Sequence, residues 1–172
     1  MSILSRLFCG IESRACKHCP DIDLRAMWPG DEEAVMQIEA ASFPVADQWT
    51  VEDFYGIFDP ASPALGHIAQ AAGRIVGFCV SRILDEHTLM IDNLAVHPVF
   101  RRLKVASRLL ADLAGRQMIA WPKRFRAVVR ETNLDAQLFF RATGWRAIGM
   151  LRRPWDGIEE DGIRFFKRVI SH

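Results

Sequence analysis

The sequence lacks long apolar runs, a second cysteine pair, repeats, low-complexity tracts and strong net charge, and most of these absences exclude a class of protein. No apolar stretch approaches the ~20 residues of a membrane-spanning helix, so no membrane partner is expected. The opening MSILSRLFCG has a short apolar patch but neither a signal-peptide core nor a small-residue cleavage site, which reads as cytoplasmic. Net charge is +1, too little for a whole molecule that binds nucleic acid electrostatically. Cysteine is confined to Cys9, Cys16, Cys19 and Cys79. Cys16-Lys17-His18-Cys19 forms one C-x-x-C pair, whereas a structural zinc site usually takes two, so no metal is expected. Tyrosine is nearly absent: Tyr55 alone could supply a phenolic proton.

What remains is an ordinary globular composition, 50% hydrophobic and 25% charged, in 172 residues that suit a single core. Residues 1–20 read as a flexible N-terminal extension and 21–172 as one domain. Charge is unevenly placed. Segment 21–60 has ten acids against Arg25, a net of −9, and segment 101–130 has nine bases against Asp112, a net of +8. That polarity suits an anion at one place and a cation at another, or simply two solvated faces. The basic segment lacks exposed aromatics interleaved with its bases, so no nucleic-acid partner is expected.

Periodicity outlines the elements. Ile22–Met27 alternates as a strand, and Asp31, Glu32 and Glu33 open a helix that runs to about Ser42. After a loop over 43–48, Thr50 caps a second helix with Asp53 in a capping box, and Trp49 and Phe54 form a hydrophobic staple. Strands follow at 66–71, 75–83 and 88–96, joined by turns at Ala72-Gly73 and Asp85-Glu86-His87, as an antiparallel meander. A helix from about Leu103 to Ile119 carries Val105, Leu109, Leu110, Leu113 and Met118 on one face and stops at Trp121-Pro122. A strand over 125–130, a short helix capped by Thr132 and ended by Gly144, and a hairpin of 145–152 with 162–169 complete the chain. The expected fold is α/β: a mixed, mostly antiparallel sheet of about seven strands covered by helices on both faces.

The informative stretch is Ile91 to Leu110 (IDNLAVHPVFRRLKVASRLL), a buried strand running through a basic loop into an amphipathic helix. A helix start leaves about four N–H groups without partners, and 98–104 contains no Ser, Thr, Asp or Asn to cap them. Those donors, the helix dipole and three bases suit a phosphate or pyrophosphate, although water could satisfy them too. The order of residues resembles the cofactor motif of the GNAT superfamily of N-acetyltransferases, in which V-x-P precedes [RQ]-x-x-G-x-[GA] and a Leu-rich helix. ASFPVADQWT (41–50) is similar to the Phe-Pro…Trp-Ser/Thr loop of RimI-type protein N-terminal acetyltransferases. Val129-Arg130-Glu131-Thr132-Asn133 with Phe139-Phe140…Gly144-Trp145 is similar to the family's V-R-x-S-N…L-Y-x-x-x-G-F.

The resemblance covers about 22–170. It implies a sheet splayed at the acyl-CoA site, with acetyl-CoA as co-substrate. Leu94, Ala95 and Val96 would hold pantetheine. Arg102, Leu103, Lys104, Val105, Ala106 and Ser107 would hold the pyrophosphate through backbone N–H groups, and Asn133 would touch the cofactor. Phe43, Pro44 and Trp49 would face the acceptor. Three positions depart from the motif: Lys104 stands at its first glycine, Phe140 at the tyrosine near the departing thiolate, and Val128 at the RimI-type glutamate.

Direct transfer needs a neutral amine, hence a base or water chain to take its proton. Thr88, Met90 and Asp92 share a strand face. The resemblance puts the base of many family members at Met90, so Asp92, one step nearer the bulge, is the first candidate base. Glu131 at the end of the next strand is second, and His87, whose ring titrates near neutrality, third. Each has a structural alternative: a bulge hydrogen bond, a helix-dipole partner and a solvated turn. The implied function is acetyl transfer from acetyl-CoA to a primary amine, with a small molecule and a peptide or protein N-terminus both open. The alternative is an acyl-CoA-binding protein with weak or no catalysis.

Overall fold

Seven strands form one sheet in the order β1-β2-β3-β4-β5-β7-β6. In the computed structural model, which describes residues 21–115 and 124–169, the strands are Ile22–Ala26 (β1), Ala64–Ala71 (β2), Arg74–Asp85 (β3), Thr88–Val96 (β4), Arg124–Arg130 (β5), Arg146–Leu151 (β6) and Gly162–Arg168 (β7). The expected N-terminal extension with its C-x-x-C pair, and the Trp121-Pro122 helix stop, lie outside the described residues. β1 to β4 pair antiparallel in chain order, β5 lies parallel to β4, and β7 inserts antiparallel between β5 and β6. Ala72 (φ 48°) and Gly73 (φ 75°) join β2 to β3 with the positive-φ turn whose twist matches flanking strands.

Helices cover both faces. Glu32–Ser42 (α1) and Val51–Tyr55 (α2) lie on one, and their Val35, Ile38 and Phe54 bury against Ile68, Phe78, Val80 and Ala95. Val105–Gly115 (α3) and Leu134–Ala142 (α4) lie on the other. The buried stripe of α3, Val105, Leu109, Leu110 and Leu113, packs with Leu89, Ile91, Phe125 and Ala127. Among the described residues no helix is long and apolar enough to cross a membrane.

β4 feeds both cores, and strict alternation forbids that. Leu89 and Ile91 join the α3 side, yet Ala95 joins the α1 side, although odd positions of a regular strand share one face. The discrepancy is resolved by a β-bulge. Ser81 pairs with Ile91 and Val80 with Asn93, which leaves Asp92 as the extra residue. Beyond it the faces exchange, so Leu94 and Val96 now pack toward α3.

The capping box at Thr50 and Asp53 is present, and the Trp49 and Phe54 rings lie 5.4 Å apart as the staple requires. Two expectations are corrected. α3 begins at Val105 rather than near Leu103, because Arg102 (φ 66°) and Lys104 (φ 62°) are left-handed and cannot continue a right-handed helix. The cap of α4 is Asn133, not Thr132: Asn133 Oδ1 accepts the Ala136 N–H at 3.0 Å, while the Thr132 N–H and hydroxyl both donate to Glu160.

Thr50→Ala removes the acceptor of the Asp53 N–H and one arm of the box. It is expected to cost about 1 kcal/mol, read as a lower urea midpoint with unchanged slope.

Candidate active site

The site begins where two strands stop pairing. The parallel ladder of β4 and β5 runs from Thr88 opposite Arg124 to Ile91 opposite Ala127, and ends there. β4 continues beside β3, whereas β5 continues beside β7 through Val128, Val129 and Arg130. The His97 N–H donates to the Val76 carbonyl at 2.9 Å, so alternation turns the backbone groups of Leu94 and Val96 away from β3, into the gap. Ala95 turns its backbone to β3. Of the three strand residues assigned to pantetheine, the structure therefore offers Leu94 and Val96 as the backbone contacts. The Val96 carbonyl already accepts Arg101 Nε at 3.2 Å and Ser42 Oγ at 3.5 Å.

At the mouth of the gap the chain makes a 3-10 turn over Pro98–Phe100 and then enters α3. Arg101, Arg102 and Lys104 are exposed there, while Leu103 packs into the core. The N–H groups that open an eleven-residue helix point out beside these cations, which is the donor set a pyrophosphate takes. The motif glycine is thus a conformational requirement. Lys104 meets it with a left-handed backbone that costs a side-chain-bearing residue about 1–2 kcal/mol. Burial first, and the charge of Arg101 second, lower the His97 pKa from its ordinary value.

On the α1 and α2 face a cleft of about 620 Å³ opens at the level where the strands part. Asp92 from β4 and Val128 from β5 stand on its two sides, with Trp49, Arg82, Met90 and Trp155 among the other walls. The Asp92 carboxylate is gripped by Arg82 as a fork, Nη2 to Oδ1 at 2.9 Å and Nε to Oδ2 at 3.1 Å. Arg130, at the end of β5, bonds Asp47 of the α1–α2 loop at 2.8 Å and Glu160 of the β6–β7 loop at 3.3 Å, and lies 5.2 Å over the Trp155 ring. One cation thereby ties both loops that border the cleft.

The other predicted residues are dispersed. Glu131 is exposed just beyond β5, its N–H donating to the Asp161 carbonyl. His87 sits in the β3–β4 turn at the opposite end of β4, with its N–H on Asp85 and its carbonyl on the Arg124 N–H, so it is not brought to the gap. Of Phe43, Pro44 and Trp49, Trp49 lines the cleft; Phe43 packs into the α1-side core and Pro44 precedes a 3-10 turn. Phe140 is buried among aromatics, 4.7 Å from Trp145 and 5.4 Å from Phe165, and belongs to the α3-side core. Asn133 turns its side-chain oxygen to its own helix. The acids of 21–60 are largely engaged internally: Asp31 with Arg25, Asp47 with Arg130 and Asp53 in the capping box.

Sequence reasoning missed Glu39. It is 1% exposed, and its carboxylate accepts the Trp49 N–H at 2.9 Å and the Asn93 amide at 3.1 and 3.2 Å. Burial pushes its pKa up against the pull of those two donors. It therefore pins β4, one residue past the bulge, to a wall of the cleft. Its signal was spacing, since Glu39 stands four residues after the fully buried Val35 on one helical stripe.

Two outcomes follow from this geometry. Glu39→Ala strands the Asn93 amide and the Trp49 N–H and should cost about 2–4 kcal/mol in urea unfolding. Lys104→Gly releases a left-handed lysine and should raise stability by about 0.5–1 kcal/mol in the same assay.

Comparison with known proteins gives a consistent picture. The profile of the acetyltransferase (GNAT) family matches residues 32–145. Among curated proteins, none matches the sequence at a significant level. The fold is similar to that of the ribosomal-protein-S18-alanine N-acetyltransferase of Escherichia coli, at 18% identity and TM-score 0.71 over 88% of this chain and 96% of that one. It is also similar to Ard1 from Thermoplasma volcanium, at 24% identity and TM-score 0.73 over 87% and 99%. An aminoglycoside 6'-N-acetyltransferase complexed with coenzyme A is similar at 14% identity and TM-score 0.69 over 87% and 98%. At these identities the structures speak to the fold.

Proposed function

The chain belongs to the GNAT acetyltransferase family, and from that membership we propose that it acetylates a primary amine in the cytoplasm, with a peptide or protein N-terminus as the first candidate acceptor. Members of this family are acyl-CoA-dependent N-acetyltransferases and take their acetyl group from acetyl-CoA. The observation that carries the reading is the parting of β4 from β5 beside the exposed start of α3.

The donor set fits acetyl-CoA. Gap-facing backbone groups of Leu94 and Val96 suit the amides of pantetheine, and the N–H groups of 102–107 with the cations around them suit its pyrophosphate. Acetyl-CoA supplies the thioester: the amine nitrogen bonds to its carbonyl carbon, the C–S bond breaks, and the thiolate leaves and takes up a proton. The residues of this chain position and deprotonate. Asp92 stands at the bulge with its carboxylate fixed by Arg82, and it receives the proton shed by the amine directly or through water. Glu131, exposed just beyond β5, is the second candidate. Phe140 has no proton to give the thiolate, so water serves that step.

Saturating acetyl-CoA at about a hundred times Kd should stabilise the protein by about 2.7 kcal/mol. A thermal-shift assay showing no stabilisation would overturn the reading. Asp92→Asn should lower kcat roughly 10²–10⁴-fold at neutral pH and flatten the pH–rate profile. An unchanged profile would reassign the base to Glu131 or a bound water. Val128 in the cleft wall and Phe140 in the α3-side core stand where the resemblance puts the family's base and acid, and they are the observation behind the second reading, an acyl-CoA-binding protein with weak catalysis. CoA release over a panel of amines separates the two.

A further inference from the structure

We infer that the acceptor amine sits next to a carbonyl and carries a large apolar group, as at the N-terminus of a peptide beginning with a bulky apolar residue, and that Arg82 and Asp92 together select it. This rests on the acetyl transfer proposed above.

The carboxylates of the cleft exclude the main competing class. Those lining it are Asp53 and Asp92. Asp53 Oδ2 accepts the Thr50 N–H at 2.7 Å and the Thr50 hydroxyl at 2.9 Å, and both oxygens of Asp92 face Arg82. A polyamine or aminoglycoside brings several ammonium groups, each of which needs an acidic partner once water is removed. With Arg82 counted, this cleft presents a single carboxylate in excess. It accommodates one ammonium, not several.

The fork itself reads a pair of groups. Arg82 uses its Nε–H and one Nη2–H on Asp92, and its side chain remains 46% exposed in the cleft wall, so its other N–H groups are available to a carbonyl oxygen. Each Asp92 oxygen keeps a further lone pair for an amine N–H. A donor for a carbonyl thus stands beside an acceptor for an amine, in one rigid ion pair at the bulge. An amine nitrogen two bonds from a carbonyl carbon, as in any α-amino amide, meets both at once, whereas an isolated amine engages only Asp92.

The walls supply the third criterion. Ile57, Met90, Val128, Leu151 and Trp155 are apolar, and the volume of about 620 Å³ accepts a leucine- or phenylalanine-sized group with room for the next residue. Val128, at the position the family motif gives to glutamate, makes the β5 side of the cleft apolar.

The test measures CoA release by the full-length protein with acetyl-CoA and four acceptors: a short peptide amide beginning with phenylalanine, the same peptide beginning with glycine, 2-phenylethylamine and spermidine. The phenylalanine peptide should exceed each of the others in kcat/KM by about tenfold or more, the scale of one charge-assisted hydrogen bond or one buried side chain. In Arg82→Gln the advantage of the phenylalanine peptide over 2-phenylethylamine should collapse toward one, chiefly through a higher KM for the peptide. Arg82→Lys, which keeps the charge without the fork, should retain part of it. Preference for spermidine, equality of the two peptides, or a ratio untouched by Arg82→Gln would each overturn the inference while leaving acetyl transfer intact. Absence of CoA release with every acceptor would instead overturn the proposed activity and this selection with it.

Discussion

Everything at the candidate site depends on two neighbouring strands being held together at one end and apart at the other. From Thr88 to Ile91, β4 is hydrogen-bonded to β5; from Asp92 onward it is not. Exposed strand edges ordinarily pair with something, so an edge this deep must be kept open by other attachments. On the β4 side these are Glu39 of α1, which holds Asn93, and Ser42 and Arg101, which share the Val96 carbonyl. On the β5 side Arg130 is drawn to Asp47, Glu160 and Trp155. Side-chain attachments on both strands, and the two donors on the Val96 carbonyl, hold each edge to elements other than the facing strand.

The same arrangement divides labour between faces. Toward α3 the gap offers backbone groups and a cationic helix start, suited to a phosphorylated chain. Toward α1 and α2 it offers one carboxylate in excess of Arg82 among largely apolar walls, suited to a single amine. The charge polarity of the sequence has this origin only in part. The bases at Arg101, Arg102 and Lys104 remain exposed, but most acids of 21–60 stabilise loops and caps.

What the sequence disclosed was whatever rests on local chemistry. Alternation, the Thr50 capping box and the apolar stripe of α3 each follow from neighbours a few residues apart, and the strand order of the meander follows from short turns. The motif around Val96-His97-Pro98 pointed to the gap only through its resemblance to the family. What depended on long-range contact was hidden. Nothing adjacent to Asp92 announces that Arg82 grips it, nor does anything beside Phe140 on α4 announce that it stacks on Phe165 of β7. Glu39 was legible in principle through its spacing from Val35, but a carboxylate on a buried stripe is rare enough that composition argues against it. The Thr132 expectation failed because Glu160, twenty-eight residues away, captures that hydroxyl and leaves the cap to Asn133.

The bulge at Asp92 also sets how this strand tolerates changes in length. An inserted or deleted residue in the Ala72-Gly73 turn leaves the alternation of β4 itself untouched. One between Asn93 and Val96 would exchange the faces once more, sending Val96 into the α1 core and Ala95 toward α3. Deleting Asp92 itself would restore an unbroken alternation with β3 and remove the local kink with it. The strand could then run on beside β5, and the opening would be lost to a continuous sheet. Length variants of this chain should therefore accumulate in its turns, with the span from Ile91 to Pro98 fixed to the residue.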